Sequence, residues 1–136
     1  MLAVVSQIAL VALTAPDWTW HYDVRVAEGL ETMEVRVCFD DVAPKSLDLG
    51  LSGRLGYIDR KKARGLCFEY DVALGKMARA EDGHGQAAWI GADLMASPDA
   101  WLLRPAKIAG DVQATLKITL PPGVSAALPW PQKGDR

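Results

Sequence analysis

Residues 20–39 read WHYDVRVAEGLETMEVRVCF, and this stretch decides the fold class. Apolar side chains occupy every second position on both sides of a short polar break. Such an alternation places the apolar residues on one face of a β-strand and the polar residues on the other. The break contains Glu28-Gly29, a pair that suits a short turn. The stretch therefore predicts a β-hairpin with one buried face.

The same alternation recurs further along the chain. It is clear at residues 47–51, 66–74 and 112–120, and the last of these stops at Pro121-Pro122-Gly123. Short strands are also predicted at the following places: 87–94, 101–103 and 124–128. No amphipathic helix stands out, and residues 72–80 are expected to hold at most a turn or two. The pattern predicts an all-β fold, an antiparallel β-sandwich of seven or eight short strands.

Length and charge restrict the classes of partner. The chain has 136 residues, which fits a single domain, here residues 16–136. Its 15 basic and 17 acidic residues give a formal net charge of −2. This charge supplies no positive field for a polyphosphate backbone, so nucleic acid is not expected as a partner.

Residues 1–15 carry no charged side chain and end in small residues before Pro16. The apolar run is too short to cross a bilayer as a helix, so no membrane span is predicted. It resembles a secretory signal peptide, although the basic residue usual near the start is missing. The alternative is a buried first strand. The signal peptide predicts a periplasmic or secreted protein, and the buried strand a cytoplasmic one.

Cys38 and Cys67 both fall on the polar side of their predicted strands. If those strands are neighbours, the two sulfurs can form a disulfide that closes a loop of about thirty residues and stabilises the fold by ~3–4 kcal/mol. An exported protein would permit this bond. The alternative is two unrelated thiols in a reducing compartment. A zinc site is disfavoured because C-x-x-C spacing is absent.

No motif for catalysis, metal binding or cofactor binding appears. His21 and His84 stand in no metal-ligand spacing, no serine lies in G-x-S-x-G, and no glycine-rich phosphate loop occurs. No catalytic residue, metal ligand or cofactor is therefore predicted. Trp18, Trp20 and Trp130 lie near prolines or chain ends, where aromatic side chains can form an interface with a neighbouring domain.

Four segments of the chain carry a resemblance to a known family: GLCFEYDV (65–72), SPD (97–99), WLLRP (101–105) and ITLPPGV (118–124). They resemble the N-terminal β-sandwich of glycyl aminopeptidase-like (gluzincin) zinc metallopeptidases, within a likeness that covers roughly residues 19–130. In that family the sandwich packs on a catalytic domain with H-E-x-x-H, a motif that these 136 residues lack.

The resemblance implies a non-catalytic accessory domain of an exported metallopeptidase-like protein, which supports a neighbouring catalytic domain or shapes access to it. The alternative is a free-standing extracytoplasmic module that binds a peptide, a protein or a carbohydrate. A third hypothesis, a small independent hydrolase, depends on His84 and is not expected.

Overall fold

The computed structural model describes residues 17–49, 55–61, 63–80, 86–108 and 110–131. Within these ranges the chain forms nine strands, two short α-helices and two 3₁₀ turns, at Glu28–Leu30 and Leu55–Tyr57. The strands and helices follow in the order β1 (Trp18–Val26), β2 (Met33–Phe39), β3 (Leu47–Asp48), β4 (Ile58–Arg60), β5 (Cys67–Val72), α1 (Leu74–Arg79), β6 (Ala87–Ile90), β7 (Asp93–Ala96), α2 (Pro98–Trp101), β8 (Arg104–Pro105) and β9 (Val112–Thr119).

Five strands form the main sheet, in the order β4-β5-β2-β1-β9. The hairpin predicted from residues 20–39 is present as the antiparallel pair β1–β2, with Tyr22 opposite Val37. The prediction of antiparallel strands throughout is wrong at one place, because β9 runs parallel to β1. The starts of these two strands are held together where Trp18 N donates to Asp111 O at 3.0 Å and Asp111 N donates to the Asp17 carboxylate at 2.9 Å.

One face of the main sheet carries the core. Alternate side chains of β1, β2 and β5 are buried there, as the period of two requires. The segment between β5 and β9 covers them and contributes Met77, Trp101 and Leu103, which are 1 %, 6 % and 2 % exposed. The two other sheets are pairs of short strands, β3–β8 and β6–β7. The strand-rich class is confirmed, whereas a sandwich of two sheets is not confirmed.

Three predicted strands differ from the structure. Residues 87–94 form a hairpin, β6–β7, because Gly91 turns the chain at φ +63°. Residues 101–103 lie at and beyond the end of α2, which starts with Pro98 at its first position. Residues 124–128 form no regular strand. The turn or two of helix expected at 72–80 is present as α1. Both helices of the described ranges are too short to span a bilayer.

Two buried tyrosines join the sheet to the covering segment. The Tyr22 hydroxyl donates to Leu103 O at 2.8 Å. The Tyr70 hydroxyl donates to Trp101 O at 2.9 Å and accepts from Leu103 N at 3.1 Å. Burial raises the pKa of Tyr22 to about 12 and raises that of Tyr70 as well, so both hydroxyls stay protonated and able to donate.

Replacing Tyr70 should therefore cost more than replacing Tyr22. Tyr70→Phe leaves two buried backbone groups without a partner, and we expect the free energy of unfolding to fall by ~2–3 kcal/mol. Tyr22→Phe leaves one such group, and we expect a loss of ~1–2 kcal/mol. Urea denaturation followed by tryptophan fluorescence measures both. Equal losses would contradict the double role of the Tyr70 hydroxyl.

Candidate functional site

The face of the main sheet opposite the core is polar, and we call it the outer face. Its side chains are exposed or half-buried, because none of the described elements packs on it as the covering segment packs on the other face. The side chains on it include His21, Asp23, Arg25, Glu34, Arg36, Cys38, Cys67, Glu69, Asp71, Thr115 and Lys117.

Charged side chains of both signs lie on the outer face. Arg36 stands between Asp23 on β1 and Glu69 on β5, and its Nε lies 3.8 Å from Glu69 Oε1. Lys61 Nζ lies 3.3 Å from Asp71 Oδ1, and the hydrogen bond to this carboxylate raises the pKa of the lysine. Exposed pairs of this kind contribute little to stability because solvent screens both charges.

Cys38 and Cys67 are joined by a disulfide on this face. Their Cα atoms are 4.1 Å apart and their sulfurs 2.10 Å apart. The two residues are directly opposite in the antiparallel pair β2–β5. Phe39 N donates to Leu66 O, so the ladder hydrogen bonds flank this pair and do not join it. The sequence placed both cysteines on the polar side of their strands, and the disulfide lies on that side of the sheet.

One arginine side chain contacts the Cys67 side of this disulfide, and a second arginine is the backbone partner of Cys67. The Arg36 Nη2 atom donates to Cys67 Sγ at 3.7 Å. Arg64 is paired with Cys67 through both backbone hydrogen bonds, across a tight turn in which Gly65 has φ +58°. Directly opposite residues of an antiparallel pair share a face, which places Arg64 on the outer face as well. One end of the disulfide therefore has a guanidinium contact.

His21 lies at the centre of an exposed hydrogen-bond network on the other side of the disulfide. Its Nδ1 is 2.5 Å from Thr115 Oγ1 and its Nε2 is 3.1 Å from Asp40 Oδ1. Hydrolases use a hydroxyl, an imidazole and a carboxylate in this order. In those enzymes the three groups lie in an enclosed site, beside hydrogen-bond donors that stabilise the oxyanion formed during the reaction. His21 and Asp40 have half-exposed side chains on an open sheet face. The network joins β9, β1 and the segment after β2.

Sequence reasoning missed this network. Its members are up to 94 residues apart, and nothing in the local sequence of Thr115 indicates that β9 pairs with β1. Among the described residues, no group of three or more His, Cys, Asp or Glu side chains could hold a metal ion. His84 and residues 1–15 lie outside the described residues.

Within the part of the chain that the structure describes, no strand pairs with the outer side of β9, and we call this second candidate surface the β9 edge. Because Trp18 N donates to Asp111 O, the parallel ladder uses the backbone groups of residues 113, 115, 117 and 119. The N–H and C=O groups of Val112, Ala114, Leu116 and Ile118 then point away from β1. Their side chains lie on the core face, where Val112 is 43 % exposed and Leu116 and Ile118 are half-buried.

The three tryptophans predicted at an interface occupy different environments. Trp20 is 3 % exposed and packs on Phe39 with ring centroids 5.5 Å apart, so it belongs to the core and is not available to a partner. Trp18 is half-buried and meets Phe39 edge to face at 6.3 Å. Trp130 is 39 % exposed. Trp20 is one of the alternate residues of β1 that face the core, and this is the physical reason that it does not form the interface predicted for it.

Comparison with known proteins adds no relative from which a role could be transferred to these surfaces. No protein-family model, curated protein or solved structure matches this chain.

Proposed function

We propose that this chain is a non-catalytic accessory β domain that docks on a neighbouring domain of an exported, metallopeptidase-like protein. One observation carries the proposal. At the β9 edge, backbone groups that pair with no other described strand and exposed or half-buried apolar side chains belong to the same four residues, at positions 112, 114, 116 and 118.

The chemistry of the β9 edge favours an extended strand as its occupant. A strand added there would pair with the outward N–H and C=O groups and would cover Val112, Leu116 and Ile118 with its own alternate apolar residues. Sheet edges that remain free are usually protected by charges, prolines or a short length. This one has eight residues, no proline and a single charged side chain, Lys117. An acidic residue in the added strand would complement that lysine.

Two further features support the wider proposal. The Cys38–Cys67 disulfide fits an oxidising compartment, as expected for an exported protein. The four segments that resemble the gluzincin N-terminal sandwich are the reason to expect a peptidase-like neighbour, and that neighbour would supply the catalytic groups. In this arrangement the accessory domain supports the catalytic domain or shapes access to its cleft.

Amide exchange along β9 tests the docking. In an isolated chain of residues 17–136 we expect alternate protection, with fast exchange at 112, 114, 116 and 118 and slow exchange at 113, 115, 117 and 119. In the whole protein as its gene encodes it, we expect the fast set to become protected. Hydrogen exchange read by NMR or by fragmentation mass spectrometry resolves the two sets. Fast exchange of that set in the whole protein would refute strand addition.

A proline variant separates strand addition from other kinds of docking. Ala114→Pro removes an edge-facing N–H while the β1 ladder keeps its own hydrogen bonds, and it should abolish the added protection in the whole protein. Ala114→Val retains the N–H and is the matched control. If isolated chains instead protect the edge by forming dimers, the occupant is a second copy and the neighbouring-domain proposal is wrong.

The free-standing binding module is the second candidate. Trp130 supports it, because an exposed tryptophan can hold a sugar ring or a peptide. A gene that encodes no further domain, with the β9 edge exchanging freely, would favour this candidate over the accessory domain.

A further inference from the structure

The Cys38–Cys67 disulfide has two unlike ends, and the difference concerns its chemistry with thiols. Both residues are half-buried on the outer face, so solvent reaches the bond from the side away from the core. Thiol–disulfide exchange begins when a thiolate attacks one sulfur and the other sulfur departs as a thiolate. The sulfur whose thiolate is better stabilised departs faster.

A guanidinium group contacts Cys67. The Arg36 guanidinium donates to its sulfur at 3.7 Å, and Arg64 is its partner across the tight turn. Glu69 lies on the same face two residues away, but Arg36 Nε approaches its carboxylate at 3.8 Å. A thiolate formed at Cys67 would therefore receive a charge-assisted hydrogen bond.

The surroundings of Cys38 are different. Its partner on β1 is His21, whose Nε2 is already bound to the Asp40 carboxylate at 3.1 Å. Asp40 itself follows Cys38 by two residues. A thiolate at Cys38 would form near this carboxylate and without a guanidinium contact of the kind that Cys67 has.

We propose that the outer face is a site of directional thiol–disulfide exchange, in which a thiolate attacks Cys38 Sγ and Cys67 Sγ departs beside Arg36. The attacking thiolate forms a new S–S bond with Cys38, the Cys38–Cys67 bond breaks, and its electron pair stays on Cys67. With a dithiol as reductant, its second thiolate then attacks the mixed disulfide and releases Cys38. The dithiol is oxidised by two electrons, and the chain gains two thiols whose protons come from the dithiol.

Trapping with glutathione tests the direction. The oxidised protein is mixed with reduced glutathione, quenched with iodoacetamide and digested with trypsin, which separates the two cysteines into peptides 37–45 and 65–76. We expect glutathione on Cys38 and carbamidomethyl on Cys67 in at least about fivefold excess over the reverse. In denaturant, where Arg36 is no longer held at Cys67, the two products should be about equal. Equal products from the folded protein would overturn the proposal.

Charge variants test the cause. Arg36→Gln should slow the first step about three- to tenfold and remove most of the preference for Cys38, because it removes the stabilising charge. Arg36→Lys keeps the charge and should retain most of the preference. Arg25→Gln removes an arginine from the same face, where it pairs with Glu34, and should change neither quantity. Circular dichroism checks that each variant is folded. An Arg36→Gln variant with the rate and preference of the unmodified protein would refute the role of Arg36.

Discussion

Met77→Ala is expected to lower the free energy of unfolding by ~2–5 kcal/mol, the range for truncating a buried large apolar side chain. Met77 is 1 % exposed and belongs to the core cluster formed by the main sheet and its covering segment. It lies on α1, which has six residues and no side-chain cap at its start. Such a short helix is held by packing and not by its own propensity. Removing its main buried side chain should therefore weaken the attachment of the covering segment.

The chain offers a matched control for this substitution. Met95, on β7, is 58 % exposed, and Met95→Ala makes the same chemical change on the surface. We expect the free energy of unfolding to change by no more than ~0.5 kcal/mol. Urea denaturation of both variants gives the two free energies of unfolding. The dependence of each free energy on urea concentration is compared between the variants. A loss below ~1 kcal/mol for Met77→Ala would mean that α1 does not contribute to the core as the structure indicates.

The sequence was informative wherever a strand has one buried and one solvated face. The alternation around Tyr22, Val35 and Tyr70 correctly indicated β1, β2 and β5, because a period of two follows directly from the pleat. The same rule placed Cys38 and Cys67 on the polar side. That they meet depends on β2 and β5 being neighbours, a long-range pairing that the alternation alone does not specify.

Other features had no local signal. The run Trp101-Leu102-Leu103 is apolar and short, and such a run fits a strand or the end of a buried helix equally well. The parallel pairing of β9 with β1 depends on the path of the whole covering segment. The contacts of His21 with Thr115 and of Arg36 with Cys67 follow from strand order, and so they could not be read from spacing.

Removing the disulfide is the second substitution with a large expected effect. Cys38 and Cys67 are 29 residues apart, and a loop of this length gives a loss of ~3.5 kcal/mol on opening, chiefly because the unfolded chain gains freedom. The double change Cys38→Ala with Cys67→Ala leaves no unpaired thiol. Urea denaturation should give this loss for the double variant, and a similar loss for the reduced, unmodified protein.

The position of the bond also predicts where the weakened protein opens first. The disulfide joins β5 to β2, and among the described strands β4 pairs with β5 alone, whereas β9 lies at the opposite edge of the main sheet beyond β1. Lower global stability should accelerate amide exchange in every strand on reduction, and we expect a larger acceleration in β4 and β5 than in the residues of β9 that pair with β1. Uniform acceleration across the five strands would show that the bond constrains only the unfolded chain. A larger acceleration in β4 and β5 would show that it also holds that edge of the folded sheet.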